Sequence, residues 1–326
     1  MFRTVAAFRA GVALAGVLAG VLPAAAQTFP VKPVRLVVAY AAGGSLDAMT
    51  RVMAQKMTES MGQTVIVENR PGASANIASE HVARSAPDGY SVVALSSPVH
   101  CVNPLLMTGM RFDPAKDLAQ VSLAAVIPLV LVVHPSLPVR SVQDMLAFVK
   151  RHHGKLAFAS SGNGTNPHMA GEQFNILTGA KMPHVPYKGG APALIDVMSG
   201  QIPVMFPLLS DTMGHLASGK VRGIGIAATK RSSFAPDLPT FAEGGLPGFE
   251  FYTWLAFDAP AATPKDIIAR LSSEMARGLR APDAAQKYRA LGLDIIASTP
   301  EYYTSWIKSD CQRIAALIKA VGLKPE

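Results

Sequence analysis

The chain reads as an α/β protein whose helices and strands are divided between two lobes. Three observations lead there. Apolar, β-branched runs alternate with segments whose apolar residues recur every three to four positions, the pattern of βα units around a parallel sheet. A strand, a glycine-rich polar loop and a helix start occur twice, at 34–51 and 155–178. The two loops lie about 120 residues apart, and ligands of such folds sit outside the carboxyl ends of the strands. Finally, residues 117–133 form one long apolar extended run, interrupted at Pro128, of a kind that passes from one domain into another.

The elements follow in order. Val34, Leu36, Val37 and Val38 mark a buried strand that stops at Ala41-Ala42-Gly43-Gly44. Ala48, Met49, Val52, Met53 and Met57 then keep helical spacing up to Gly62. A strand over 64–68, turn residues from Asn69 to Ala73, a helix over 76–84, a Pro87-Asp88-Gly89 turn and a strand over 90–95 complete the first run of units. After the extended run, Ser141 caps a helix over 141–150, with Asp144 in its first turn. A strand over 155–160 leads into Ser161-Gly162-Asn163-Gly164-Thr165-Asn166-Pro167 and a helix from His168 to about residue 178. Strands at 184–187, 202–206 and 221–228 enclose a helix at 191–199. Residues 249–257 are extended and aromatic and read as the return crossing. Helices at 264–279, 283–291 and 300–320 are expected to pack back onto the first lobe.

The amino terminus carries Arg3 and Arg9, an apolar stretch over 10–22 and Pro23-Ala24-Ala25-Ala26. This is the pattern of a secretory signal peptide cut after Ala26; the apolar stretch is short for a membrane anchor. Cleavage removes two arginines and no acid, taking the net charge from +8 to +6. Roughly 300 residues remain, enough for two domains with cores of their own. Lys and Arg are scattered with no basic, aromatic-laced block, which argues against nucleic acid as a partner. Cys101 and Cys311 are the only cysteines. Two free buried thiols are the favoured reading, with a disulfide open because an exported chain meets an oxidising compartment.

The glycine loops aim backbone N–H groups and a positive helix end at an anion. Catalytic chemistry is less well supported. There is no G-x-S-x-G elbow for a serine nucleophile. Ser45, Ser160 and Ser161 beside glycines suit hydrogen-bond donation, and His168 suits a contact with its loop. His168 and Glu172 share a helix face but lack the second histidine of a metal motif, so a surface contact between them is expected. Gly223 and Gly225 lack the third glycine of a dinucleotide fingerprint, and no cofactor is expected. Asp47 is read as stabilising a helix start or holding a water. Trp254 is read as core, with a cleft wall as the alternative.

Taken together, several motifs resemble the Bug-type extracytoplasmic solute receptors, the substrate-binding proteins of tripartite tricarboxylate transporters. They are Lys32-Pro33-Val34-Arg35 with Ala41 to Asp47, Val67 to Ala73, Ala86-Pro87-Asp88-Gly89-Tyr90, Ser160 to Thr165, His184 to Gly189 and Leu238-Pro239-Thr240. The resemblance spans the mature chain from about Phe29 onward. It implies a two-lobed periplasmic-binding-protein fold (type II-like), with two crossing strands as hinge and a carboxylate closed between the lobes. On that basis residues 1–26 are the signal peptide, 27–127 with 250–326 form one lobe, and 128–249 form the other. The expected site comprises Tyr40, Ala42, Gly43, Ser45 and Asp47 from the first loop. Ser160, Ser161, Asn163, Thr165 and His168 come from the second.

The sequence departs from the family where an acid is usual near 203 and 207 and Pro203 and Pro207 stand instead. Proline cannot accept from a ligand amine or hydroxyl through its side chain. The ligand expected is therefore a carboxylate with an apolar or aromatic remainder, with Ser210 and Asp211 as substitute polar contacts. The implied role is a periplasmic, monomeric, non-enzymatic receptor that serves membrane permease subunits. Presentation of ligand to a sensor protein, or an exported enzyme on the same fold, are the alternatives.

Overall fold

A computed structural model describes residues 29–325. The signal-peptide reading lies outside the described residues. The chain forms two mixed sheets that share one construction. The first has strand order β11-β4-β10-β3-β1-β2. In it β1 (Val34–Val38) pairs in parallel with β2 (Val65–Asn69) and β3 (Ser91–Ser96). Beyond β3 the neighbours alternate: β10 (Tyr252–Pro260) is antiparallel to β3, β4 (Leu118–Pro128) is antiparallel to β10, and the short β11 (Asp294–Ile295) is antiparallel to β4. The second sheet has order β7-β6-β8-β5-β9. There β6 (Phe158–Ser160) is parallel to β7 (His184–Pro186) and β8 (Val204–Met205). The strand β5 (Val130–Val133) runs antiparallel to β8 and to β9 (Arg222–Ile226).

The long apolar run is thus two strands in two sheets. It breaks at Leu129, next to Pro128, which has no N–H to continue a ladder. Leu129 donates to the Phe251 carbonyl at 3.0 Å and accepts from the Ala227 N–H at 2.9 Å. The Phe251 N–H in turn donates to the Ala227 carbonyl at 2.8 Å. The outgoing and returning crossings therefore lie side by side and are tied to each other. The other expected elements are found to within a few residues, while helices Pro98–Cys101, Asn103–Leu106, Pro114–Asp117 and Leu209–Ala217 and the strand β11 are additional to those expected. The last third returns to the first sheet, where helix Lys265–Leu279 packs on helix Ser45–Met61.

One expectation is corrected. Cys101 and Cys311 form a disulfide rather than two free thiols. The tertiary fold brings their Cα atoms to 4.5 Å although 210 positions separate them in sequence. The bond ties helix Pro98–Cys101 to the long helix Pro300–Val321. Trp254 is fully buried core, as the sequence reading favoured, with its indole N–H donating to Asp310 at 2.8 Å. Arg313 pairs with the other oxygen of Asp310 at 2.8 Å and lies over the Phe251 ring. The C-terminal helix is thereby clamped to the start of the returning strand.

Candidate functional site

A cavity of about 990 Å³ opens between the two sheets, within the range of small-molecule sites. Tyr40, Ser96 and Thr253 reach it from the first sheet side, and the 161–168 loop and helix start reach it from the second.

The second glycine loop is built as a rigid polar wall. Gly162 adopts φ +130, where a side chain is strained, and its missing Cβ would stand 3.3 Å from the Tyr187 carbonyl. Thr165 Oγ1 donates to the Gly162 carbonyl at 2.7 Å, and Ser160 Oγ accepts from the Gly162 N–H at 3.1 Å. The Gly164 N–H donates to His168 Nδ1 at 3.0 Å, which places any proton of the neutral ring on Nε2. Pro167 at the start of helix Asn166–Thr178 costs no helix hydrogen bond there.

His168 stacks face to face on His184, with ring centroids 3.8 Å apart. His184 in turn lies 5.0 Å from the Phe158 ring, and its Nε2 is 2.6 Å from Ser160 Oγ. Phe158 fits because position 171 is glycine: a Cβ there would fall 2.1 Å from the ring. Burial pushes both imidazoles down to about 4, helped at His168 by its neighbour His184. Both are neutral at pH 7 and offer hydrogen bonds without charge. His168 is itself buried, so its 3.8 Å approach to Glu172 is an interior contact and not the surface pair expected; burial raises the Glu172 carboxyl.

The first loop behaves differently. Asp47 folds back so that its Oδ2 accepts from the Gly43 N–H at 2.9 Å, while Arg51 and Asn69 bind the same carboxylate. Burial opposes its ionisation, but these partners prevail and hold its pKa below the usual carboxylate range. The chain's own carboxylate therefore occupies an N–H of the loop. Tyr40 does reach the cavity, with its hydroxyl 2.5 Å from Ser96 Oγ. A further hydrogen bond joins the two halves: Asn166 Nδ2 donates to Ser97 Oγ at 3.2 Å, and Ser97 is 3.2 Å from Thr253 Oγ1.

Of the residues expected at the site, Tyr40, Ser161, Asn163, Thr165, His168 and Asp211 line the cavity. Ala42, Gly43, Ser45, Asp47, Ser160 and Ser210 are not among its lining. Ser160 is fully buried beneath the loop, and Ser210 donates to Asp211 at 3.2 Å. Asp211 is open to solvent within the cavity yet hemmed by protein, and this enclosure raises its carboxyl. Sequence reasoning missed Ser96, Asn103, Thr253 and the cavity face of helix Gly190–Ser199. The helix face was readable, since Ala191, Leu194, Ile195 and Met198 share a helical stripe. Nothing local marked Ser96 or Thr253.

The arrangement suits reversible binding rather than bond-making. Ser161 and His168 form no hydrogen bond, and Ser160, the hydroxyl paired with His184, is fully buried beneath the cavity wall. Among the described residues no group of three or more His, Cys, Asp or Glu is placed to hold a metal ion, and no helix is long and apolar enough to cross a membrane.

Known proteins share this construction. Protein BugT of Bordetella pertussis is 34% identical over 325 residues, covering 99% of each chain. The solved structure of R. palustris Rpa4515 with adipate superposes with a TM-score of 0.82 at 32% identity, covering 91% of this chain and all of that one. The periplasmic binding protein BugD gives 0.78 at 30% identity, again over 91% of this chain and all of the other. These relatives are two-lobed solute-binding receptors, not enzymes. Residues 49–323 match the family described as the tripartite tricarboxylate transporter family receptor. With its two sheets, paired crossings and intervening cavity, this chain belongs to that family of Bug-type solute-binding receptors.

Proposed function

We propose that the mature protein is a periplasmic receptor that captures a small carboxylate and delivers it to the permease subunits of a tripartite tricarboxylate-type transporter. The observation that carries the reading is the cavity itself, walled on one side by the 161–168 loop and helix start and on the other by Tyr40, Ser96 and Thr253. Rpa4515 with adipate, and MatC from Rhodopseudomonas palustris with bound malate at 29% identity, supply the ligand class by analogy. Tyr40, Ser161, Asn163, Thr165 and the helix start that follows are proposed to hold the carboxylate. Hydrogen bonds to a charged group contribute roughly 1.5–3 kcal/mol each. Three or four of them reach the ~8 kcal/mol of a micromolar site, before immobilisation and closure are subtracted. The lobes are proposed to divide at 27–127 with 250–326 against 128–249. Closure then turns about the crossings at Leu129 and Phe251.

The test is thermal-shift screening of mature protein against carboxylates and uncharged solutes, with native mass spectrometry of ligand retained through purification. Stabilisation by carboxylates alone is the expected outcome, weakened in Thr165→Val. Stabilisation only by non-anionic solutes overturns the proposal.

A further inference from the structure

The apolar part of the cavity lining has a chemistry different from that of the polar loop. Leu194, Ile195 and Met198 project into it from one stripe of helix Gly190–Ser199, and Met205 and Leu208 line it nearby. Ile195 is 58% exposed, a large apolar side chain left uncovered on a cavity wall. Leu106 and Met107 bring further apolar surface from the first-sheet side. Methionines conform to differently shaped apolar partners.

The charged groups lining the cavity are few. No arginine is among the described residues that line it. His168 and His184 are neutral at pH 7. What remains is Asp211, His215 one turn later on the same helix, and Lys324 from the C-terminal tail. A ligand carrying a second carboxylate onto this apolar lining loses hydration there, gains no guanidinium and at most the single ammonium of Lys324, and meets the Asp211 carboxyl. A ligand carrying an apolar chain or ring covers Ile195 and Met198 and removes that surface from water.

Resting on the receptor reading above, we propose that the site selects carboxylates with a single charge and an extended apolar or aromatic body. Diacids and triacids are discriminated against, with the 191–198 stripe and Asp211 setting the preference.

Isothermal titration of the mature protein at pH 7.5 with octanoate, 3-phenylpropanoate, adipate and citrate tests this. The better of the two monocarboxylates is expected to bind at least tenfold more tightly than either polycarboxylate. Ile195→Ser, at an exposed position that folding tolerates, should weaken that monocarboxylate severalfold and adipate by a smaller factor. Asp211→Asn should narrow the gap by strengthening adipate. A preference below tenfold, or a reversed one, overturns this specificity while leaving the receptor reading intact. Absence of binding by all four, alongside binding of uncharged solutes, overturns both.

Discussion

Breaking the Cys101–Cys311 bond should cost this protein a large share of its stability. The bond closes a loop of 210 positions, and chain entropy for a loop of that length gives about 5 kcal/mol at 25 °C. Measured values more often fall near 2–4 kcal/mol. The native side keeps other ties that hold the long helix in place, including the Trp254–Asp310 hydrogen bond and the Arg313 hydrogen bond to the Glu250 carbonyl. The folded state should therefore survive, with the loss falling on the balance with the unfolded chain. Alanine at both positions is the appropriate change, since Cys101 is buried and serine would bury a hydroxyl. The expected loss is about 3–5 kcal/mol. With a urea slope of ~3 kcal/mol/M, the midpoint falls by about 1–1.7 M. Fluorescence of Trp254 and Trp306 during urea unfolding reads the midpoint, and thiol titration of denatured, unreduced protein reads the bond directly. A midpoint that moves by less than about 0.3 M, a change worth only ~1 kcal/mol at that slope, would refute the reasoning, as would two titratable thiols.

Three further outcomes are expected. His168 is depressed to about 4 in the folded protein and titrates near 6.5 when unfolded. Its contribution is complete above pH 6.5 and lost as pH falls towards 4, because the unfolded chain then binds the extra proton. The loss is about 3 kcal/mol, and a urea midpoint equal at pH 7.5 and pH 4.5 in wild type and His168→Gln alike contradicts it. Gly171→Ala drives a methyl group into the Phe158 ring and should lower stability by about 1–3 kcal/mol or more, with Tm measured by calorimetry; an unchanged Tm means that the ring moves freely. Asn166→Ala removes the hydrogen bond to Ser97 across the cavity. Ligand affinity should fall by a factor of about two to ten, the equivalent of ~0.5–1.5 kcal/mol, and an unchanged Kd shows that the bond is absent from the bound form.

Much of the fold is written in local pattern. The β-branched run at 34–38, the glycine break after it and the methionine spacing of the first helix depend on neighbours a few residues away, so the sequence alone specifies them. The same holds for the second loop: Gly162 and Gly164 at positive φ, with Thr165 and His168 placed to bind the loop backbone, are determined within nine residues. What the sequence could not decide is anything that depends on distant residues meeting. The first loop looked like half of an anion clamp, but Asn69 and Arg51 draw Asp47 inward and its carboxylate takes the Gly43 N–H. Cys101 and Cys311 carry no local sign of their bond, since only the packing of the last helix brings them together. Trp254 in an aromatic extended run had two faces open to it, and pairing of β10 between β3 and β4 assigned it to the core. Thr253, its neighbour, points to the opposite face and so reaches the cavity. The sequence by itself determined the elements and one polar wall of the site. Tertiary structure decided the opposite wall, because strand alternation and sheet order choose which side chains face the space between the lobes.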